Sequence, residues 1–127
     1  MTPILVCLGL LCSPVTARVG NPPAQVPWEG FTQAVMSYPG HHFGMVFLAH
    51  LGTPEGWEIA LAVPGENVSV EFANGTKEQY RVTNTQTLQL GFDTMKAYDA
   101  FHSAPVSFET CVLSGLTDWG RRFVEAQ

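Results

Sequence analysis

The chain has 127 residues, 46% of them hydrophobic and 13% charged, with a formal net charge of −5. That length holds one core and excludes two domains, and the composition excludes disorder. Six Lys and Arg against eleven Asp and Glu exclude an extended phosphate-binding surface, so no nucleic-acid partner is expected.

Twelve Gly and nine Pro point to many turns, as in a small all-β fold. The three cysteines make no disulfide framework, and no Cys-x-x-Cys or Cys/His spacing suggests zinc. Met1 to Ala17 begins with an apolar segment, Pro3 to Cys12, and ends in Val15-Thr16-Ala17. The small residue at the end fits signal-peptidase cleavage, while the absence of a leading Lys or Arg and the presence of Pro3 fit a buried first strand instead. The segment is too short for a bilayer anchor.

Arg18 to Gly40 is read as loop, carrying Gly20, Pro22, Pro23, Pro27, Gly30, Pro39 and Gly40. Trp28 and Phe31 are expected to pin it to the core, with Ala34-Val35-Met36 a short strand or helical turn. His41 and His42 are adjacent at a turn. Neighbours on an extended chain point opposite ways, so they are read as solvent-facing and not as metal ligands.

Gly44 to His50 is an apolar run of strand length that suits a strand buried on both faces. Gly52 to Gly56 reads as a turn, Trp57 to Val63 as a further apolar stretch and Pro64-Gly65 as another turn. The clearest local signal is a hairpin. Val68 to Phe72 and Gln79 to Thr83 alternate apolar and polar residues about Asn74-Gly75. Asn67 and Asn74 also match the glycosylation acceptor pattern, but Asn74 is already explained by its turn.

Thr85 to Leu90 adds a short strand. Phe92, Met95, Tyr98 and Phe101 then recur at three-residue spacing behind Asp93, which predicts a short amphipathic helix capped by that aspartate. The total is six to eight strands and at most one short helix, arranged as a barrel or sandwich.

The chemistry sits in Val106 to Ala126. A β-type run ends in Thr110-Cys111, a polar loop holds Gly115, Thr117 and Asp118, and Arg121-Arg122 open a second β-type run. Neighbouring strands would bring a lone thiol and a guanidinium to one end of a sheet. The thiolate is the nucleophile, and the cation can stabilise it and bind a developing oxyanion. His50, closing its own apolar run, supplies a proton carrier. Free cysteine is also commonly a small buried core residue, and that reading of Cys111 stands beside the first.

These motifs resemble the sortase family of cysteine transpeptidases from about Pro39 to Ala126. Pro39-Gly40 and Phe47-Leu48-Ala49-His50 look like the family's Pro-Gly turn and the strand ending in its histidine. Pro64-Gly65-Glu66-Asn67 looks like its Gly-Asp turn, with Glu66 in place of Asp, and Tyr80-Arg81-Val82 matches its Tyr-x-Val strand. Phe108-Glu109-Thr110-Cys111 and Arg121-Arg122-Phe123-Val124 look like its Thr-Cys strand end and the arginine opening its final strand.

The resemblance implies an all-β, closed sortase-like barrel with short helical turns over residues 18–127. Residues 1–17 are then a signal peptide or the first strand. It implies His50, Cys111 and Arg121 as catalytic residues, with Thr110 helping to hold the loop or the substrate. Arg122 stays as the alternative arginine, because adjacent strand residues face opposite ways and only one can reach Cys111. Leu48-Ala49 precedes the histidine where the family usually has Ala-Gly or Ser-Gly, and the family's first two strands are not recognisable.

The implied reaction cleaves a sorting-signal peptide of the Leu-Pro-x-Thr-Gly kind through a thioester and transfers it to an amine acceptor. No metal or cofactor is expected, and the protein is expected to act as an extracytoplasmic monomer on peptide or protein substrates. Two other classes share these residues: a non-catalytic secreted barrel with Cys111 buried and inert, and a cysteine hydrolase with water as acceptor.

Overall fold

The structure, a computed structural model, describes residues 1–20, 26–113 and 119–127. Gly115, Thr117 and Asp118 of the polar loop, and Pro22 and Pro23, lie outside the described residues. Eight strands form a closed barrel: β1 (Pro3–Leu8), β2 (Leu11–Val19), β3 (Phe31–Val35), β4 (Met45–Leu48), β5 (Asn67–Phe72), β6 (Lys77–Gln89), β7 (Val106–Leu113) and β8 (Trp119–Ala126). Around the wall the order is β1-β2-β3-β4-β7-β8-β6-β5. The β2–β3 and β4–β7 pairs are parallel and the others antiparallel. Among the described residues closure leaves no unpaired strand edge.

Two-residue alternation fills the interior. Val6 and Leu8, Val68, Val70 and Phe72, Val106 and Phe108, and Val124 and Ala126 all join one core cluster, none of them more than 3% exposed. Phe31 and Phe47 both pack against Phe108, with ring centroids 5.7 Å away in each case. Of the two aromatics expected to pin the 18–40 segment, Phe31 does so. Trp28 is 72% exposed and packs on a histidine ring instead.

Residues 3–19, which suit either a signal or a first strand by sequence, form β1 and β2 here. β1 pairs with both β2 and β5 and closes the barrel. The β1–β2 turn brings Cys7 opposite Cys12, and the two form a disulfide that the sequence spacing did not suggest. At Asn74-Gly75 the expected hairpin is present. Gly75 takes a φ of +87°, a region open to glycine, and Asn74 Oδ1 accepts the Thr76 N–H at 2.9 Å. The runs predicted as two strands, 79–83 and 85–90, are one long β6. A register shift between Val82 and Asn84 interrupts the alternation, the first part pairing with β5 and the second with β8.

Among the described residues two helices are present where at most one was expected. The expected one is α2 (Thr94–Phe101), whose first turn is capped by Asp93 accepting from the Lys96 N–H at 3.0 Å. The other, α1 (Pro54–Leu61), takes up part of the predicted 52–56 turn and most of the 57–63 apolar stretch. Thr53 caps it and Pro54 opens it, a start that eight residues without a wide apolar stripe conceal. Ile59 of this helix and Ala62, its C-cap, join the barrel core, both at 0% exposure.

On its outer face, α2 covers β8. Phe123 is fully buried under Ala97, Tyr98, Phe92 and Phe101. Phe108→Ala removes the ring at the centre of the core, so an unfolding free-energy loss of about 3–5 kcal/mol is expected in denaturant titration.

Candidate active site

Register brings the site together. β4 and β7 are parallel with a constant offset of 61 residues, from Met45↔Val106 to Leu48↔Glu109. The same offset continues past the end of β4, where the Ala49 N–H donates to Glu109 O at 3.3 Å and Thr110 Oγ1 donates to Ala49 O at 2.8 Å. One step further the same count reaches His50 and Cys111, which line one cleft. On the other side of β7, Cys111 pairs directly with Arg121 of β8. His50, Cys111 and Arg121 therefore form a row along one cleft, Cys111 and Arg121 as cross-strand partners on the outer face shared by Leu48 and Glu109.

The Arg121 guanidinium donates from Nη1 to Cys111 Sγ, and Cys111 is a half-buried free thiol. Arg122 points the other way. Its Nη2 donates to Ala62 O at 2.9 Å at the C-terminus of α1, and its Nη1 donates to Thr87 Oγ1 at 3.2 Å. Burial lowers the Arg122 pKa from its ordinary value, and the Ala62 carbonyl suits a cation there through the helix dipole. Of the two arginines weighed by sequence, Arg121 is the one beside the thiol.

His50 is held from three directions. Its Nε2 lies 2.7 Å from Val26 O, and a carbonyl only accepts, so Nε2 carries a proton and Nδ1 is left to exchange one. Its ring stacks on Trp28, centroids 4.2 Å apart and planes 22° apart. Its carbonyl accepts from Thr53 Oγ1 at 2.7 Å, and that same hydroxyl caps α1 at the Gly56 N–H. The α1 start therefore grips the histidine backbone. A Cβ at position 56 would lie 1.9 Å from His50 O, so only glycine allows this approach.

Thr110 is 2% exposed, and its hydroxyl is spent on the Ala49 carbonyl. Ala49 is 6% exposed, and its methyl joins the core cluster.

His50, Cys111, Arg121, Glu109, Thr110, Ala49, Leu48 and Val26 line a cleft of about 120 Å³. It adjoins a larger one of about 400 Å³ that shares Val26, Leu48, Glu109 and Arg121 and runs on past Leu90, Phe92 and Tyr98. Tyr98 is pushed up to about 12, first by burial, then by the charges of Glu109 and Tyr38, with Arg121 opposing. Among the described residues no group of three His, Cys, Asp or Glu is placed to hold a metal. Neither His41 nor His42 lines either cleft, and His41 Nδ1 pairs with Asp99 Oδ1 at 2.7 Å.

No protein-family model matches the chain, and no curated protein matches it. Solved structures do. Streptococcus agalactiae sortase C1 superposes with a TM-score of 0.68 at 18% identity, over 97% of this chain and 64% of that one. Sortase C-1 from Actinomyces oris gives 0.66 at 15% identity, over 96% and 71%. Sortase A from Corynebacterium diphtheriae gives 0.65 at 13% identity, over 100% and 61%. The chain spans less than two thirds of the Streptococcus and Corynebacterium chains.

At these identities the likeness establishes architecture, and the chain has the sortase fold: an eight-stranded closed barrel with two short helices.

Sequence reasoning missed Val26, Trp28, Thr53, Gly56, Glu109 and Tyr98 at the site. Thr53-Pro54 was the usable signal, as a helix cap followed by proline; the others depend on long-range packing. For Gly56→Ala the forced shift of the α1 start is expected to cost about 1–3 kcal/mol in thermal or denaturant unfolding.

Proposed function

We propose that this protein is a sortase-like cysteine transpeptidase, with Cys111 as nucleophile, His50 as proton carrier and Arg121 as oxyanion donor. The observation that carries the reading is the guanidinium of Arg121 on a half-buried free thiol, inside a cleft that His50 also lines. An inert core cysteine needs no cation and no opening to solvent, so the reading of a non-catalytic barrel lacks such support.

In the proposed reaction the Cys111 thiolate adds to the scissile carbonyl of a sorting-signal peptide. Arg121 donates to the oxygen as it becomes negative, at the point where a preorganised cation contributes most. The C–N bond then breaks, the His50 imidazolium gives its proton to the leaving amine, and a thioester remains on Cys111. An acceptor amine attacks the thioester, loses a proton to His50 and releases the thiolate. Water in place of the amine gives hydrolysis.

Val26 O is useful in both protonation states, since it accepts from Nε2–H in the neutral ring and in the cation. Thr110 acts as a positioning residue, its hydroxyl fixing the carbonyl that precedes His50.

The protein is proposed to work outside the cytoplasm as a monomer, on a peptide or protein substrate and without a metal or cofactor. Among the described residues no helix is long and apolar enough to cross a membrane. Residues 3–19 are proposed to belong to the functional barrel, since Val6 and Leu8 are fully buried in its core.

The first test is the alkylation rate of Cys111, followed from pH 5 to 10 in the parent, His50→Ala and Arg121→Ala proteins. Loss of the guanidinium withdraws the cation beside the thiolate, so labelling near pH 7 should slow about tenfold in Arg121→Ala. His50→Ala should change the shape of the profile. A thiol that reacts only on unfolding, or three superimposable profiles, would overturn the assignment.

A further inference from the structure

Glu109 is a charge that the proposed chemistry does not use. It lies two residues before Cys111 on β7, on the same face and about 6.5 Å along the strand. Its side chain is 13% exposed, and its one ion-pair neighbour among the described residues is His102 Nε2, 3.6 Å from Oε1 and outside hydrogen-bond range. His102 is itself only 1% exposed, and its Nδ1 lies 2.7 Å from Ser107 Oγ. The sequence of groups imitates a Ser-His-acid triad, but Ser107 is 0% exposed and no substrate can reach it. What faces open space is the carboxylate at the end.

Glu109 lines both parts of the cleft, with Val26 and Leu48 beside it and Arg121 engaged on the thiol. Among the described residues the Glu109 carboxylate accepts no hydrogen bond, and a cation entering the cleft would supply the partner it lacks. The walls Leu48, Leu90 and Phe92 suit an aliphatic stem reaching in from the wider part of the cleft. We propose that Glu109 is an anionic subsite that selects an ammonium-bearing side chain of lysine type. The ammonium belongs either to the acyl-donor peptide or to the acceptor amine before it gives up its proton. Glu109 is a specificity determinant in this account, and the bond making stays with Cys111.

The proposal rests on the cleft beside Cys111 being where substrates bind, and its test does not require turnover. Cys111 is labelled with aminoethyl methanethiosulfonate, which ends in an ammonium, and with its neutral ethyl counterpart. Each forms a mixed disulfide at Sγ and releases methanesulfinate. The ratio of cationic to neutral rates cancels any change in thiolate content. It is expected to fall about fivefold in Glu109→Gln and to stay unchanged in Glu71→Gln, which alters net charge by the same amount on β5. An unchanged ratio in Glu109→Gln overturns the proposal.

The parent protein provides a second reading that needs no variant. Acetyl-lysine methylamide as acceptor, and a lysine-containing donor peptide, are each compared with their norleucine analogues for protecting Cys111 from the neutral reagent. Stronger protection by either lysine compound supports the subsite and names its source. Equal protection by lysine and norleucine in both arms overturns it. A cation preference without any peptide transfer would leave the subsite standing and remove the transpeptidase reading; transfer without the preference would do the reverse.

Discussion

The parallel pairing of β4 with β7 is the constraint on which the rest depends. Its constant offset carries the chain beyond the last ladder bond so that His50 arrives beside Cys111, while antiparallel pairing with β8 delivers Arg121 to the same row. Parallel strands need a long crossover, and the chain between β4 and β7 provides it by making α1, the β5–β6 hairpin and α2. Those elements are more than connection. α1 fixes the histidine carbonyl through Thr53, and α2 roofs the outer face next to the cleft.

Sidedness follows from the same pairing. The core-facing residues of β7 and β8 are apolar or have their polar groups held by backbone carbonyls, Thr110 by that of Ala49 and Arg122 by that of Ala62. Outward ones run from Ser107 and Phe123 beneath α2 to Cys111 and Arg121, where the roof ends and the cleft begins. One face thus passes from packed to open within a few residues. Arg122 shows the reverse side of this rule, because its neighbour takes the thiol and it turns instead to the end of α1. Adjacent strand positions must part company, and the two arginines do.

Much of this was legible in the sequence because the signals were local. Asn74-Gly75 between alternating runs specified a hairpin, Asp93 with its aromatic spacing specified α2, and the apolar run to His50 specified a strand buried on both faces. The barrel came from resemblance in the second two thirds of the chain, and superposition on solved sortases places the whole chain in that architecture. The first strands were hidden, since an apolar segment ending in small residues is as good a leader as it is a strand. α1 was hidden because Gly56, a poor helix residue, is required by a close approach to His50 that no local pattern encodes. Trp28 was assigned to the core on hydrophobicity alone, while its partner is the histidine ring. The separation of His50 and Cys111 by sixty-one positions was visible, but only the strand register explains why that number works.

The central claim is that the row His50–Cys111–Arg121 forms an acyl-enzyme. Intact-mass spectrometry of the protein incubated with a Leu-Pro-x-Thr-Gly peptide tests it most directly. The account predicts a mass increase equal to the peptide portion up to its Thr, located on Cys111, discharged by hydroxylamine and absent in Cys111→Ala. A folded protein whose Cys111 accepts small thiol reagents, yet never carries a peptide across a panel of sorting-signal sequences, would contradict it.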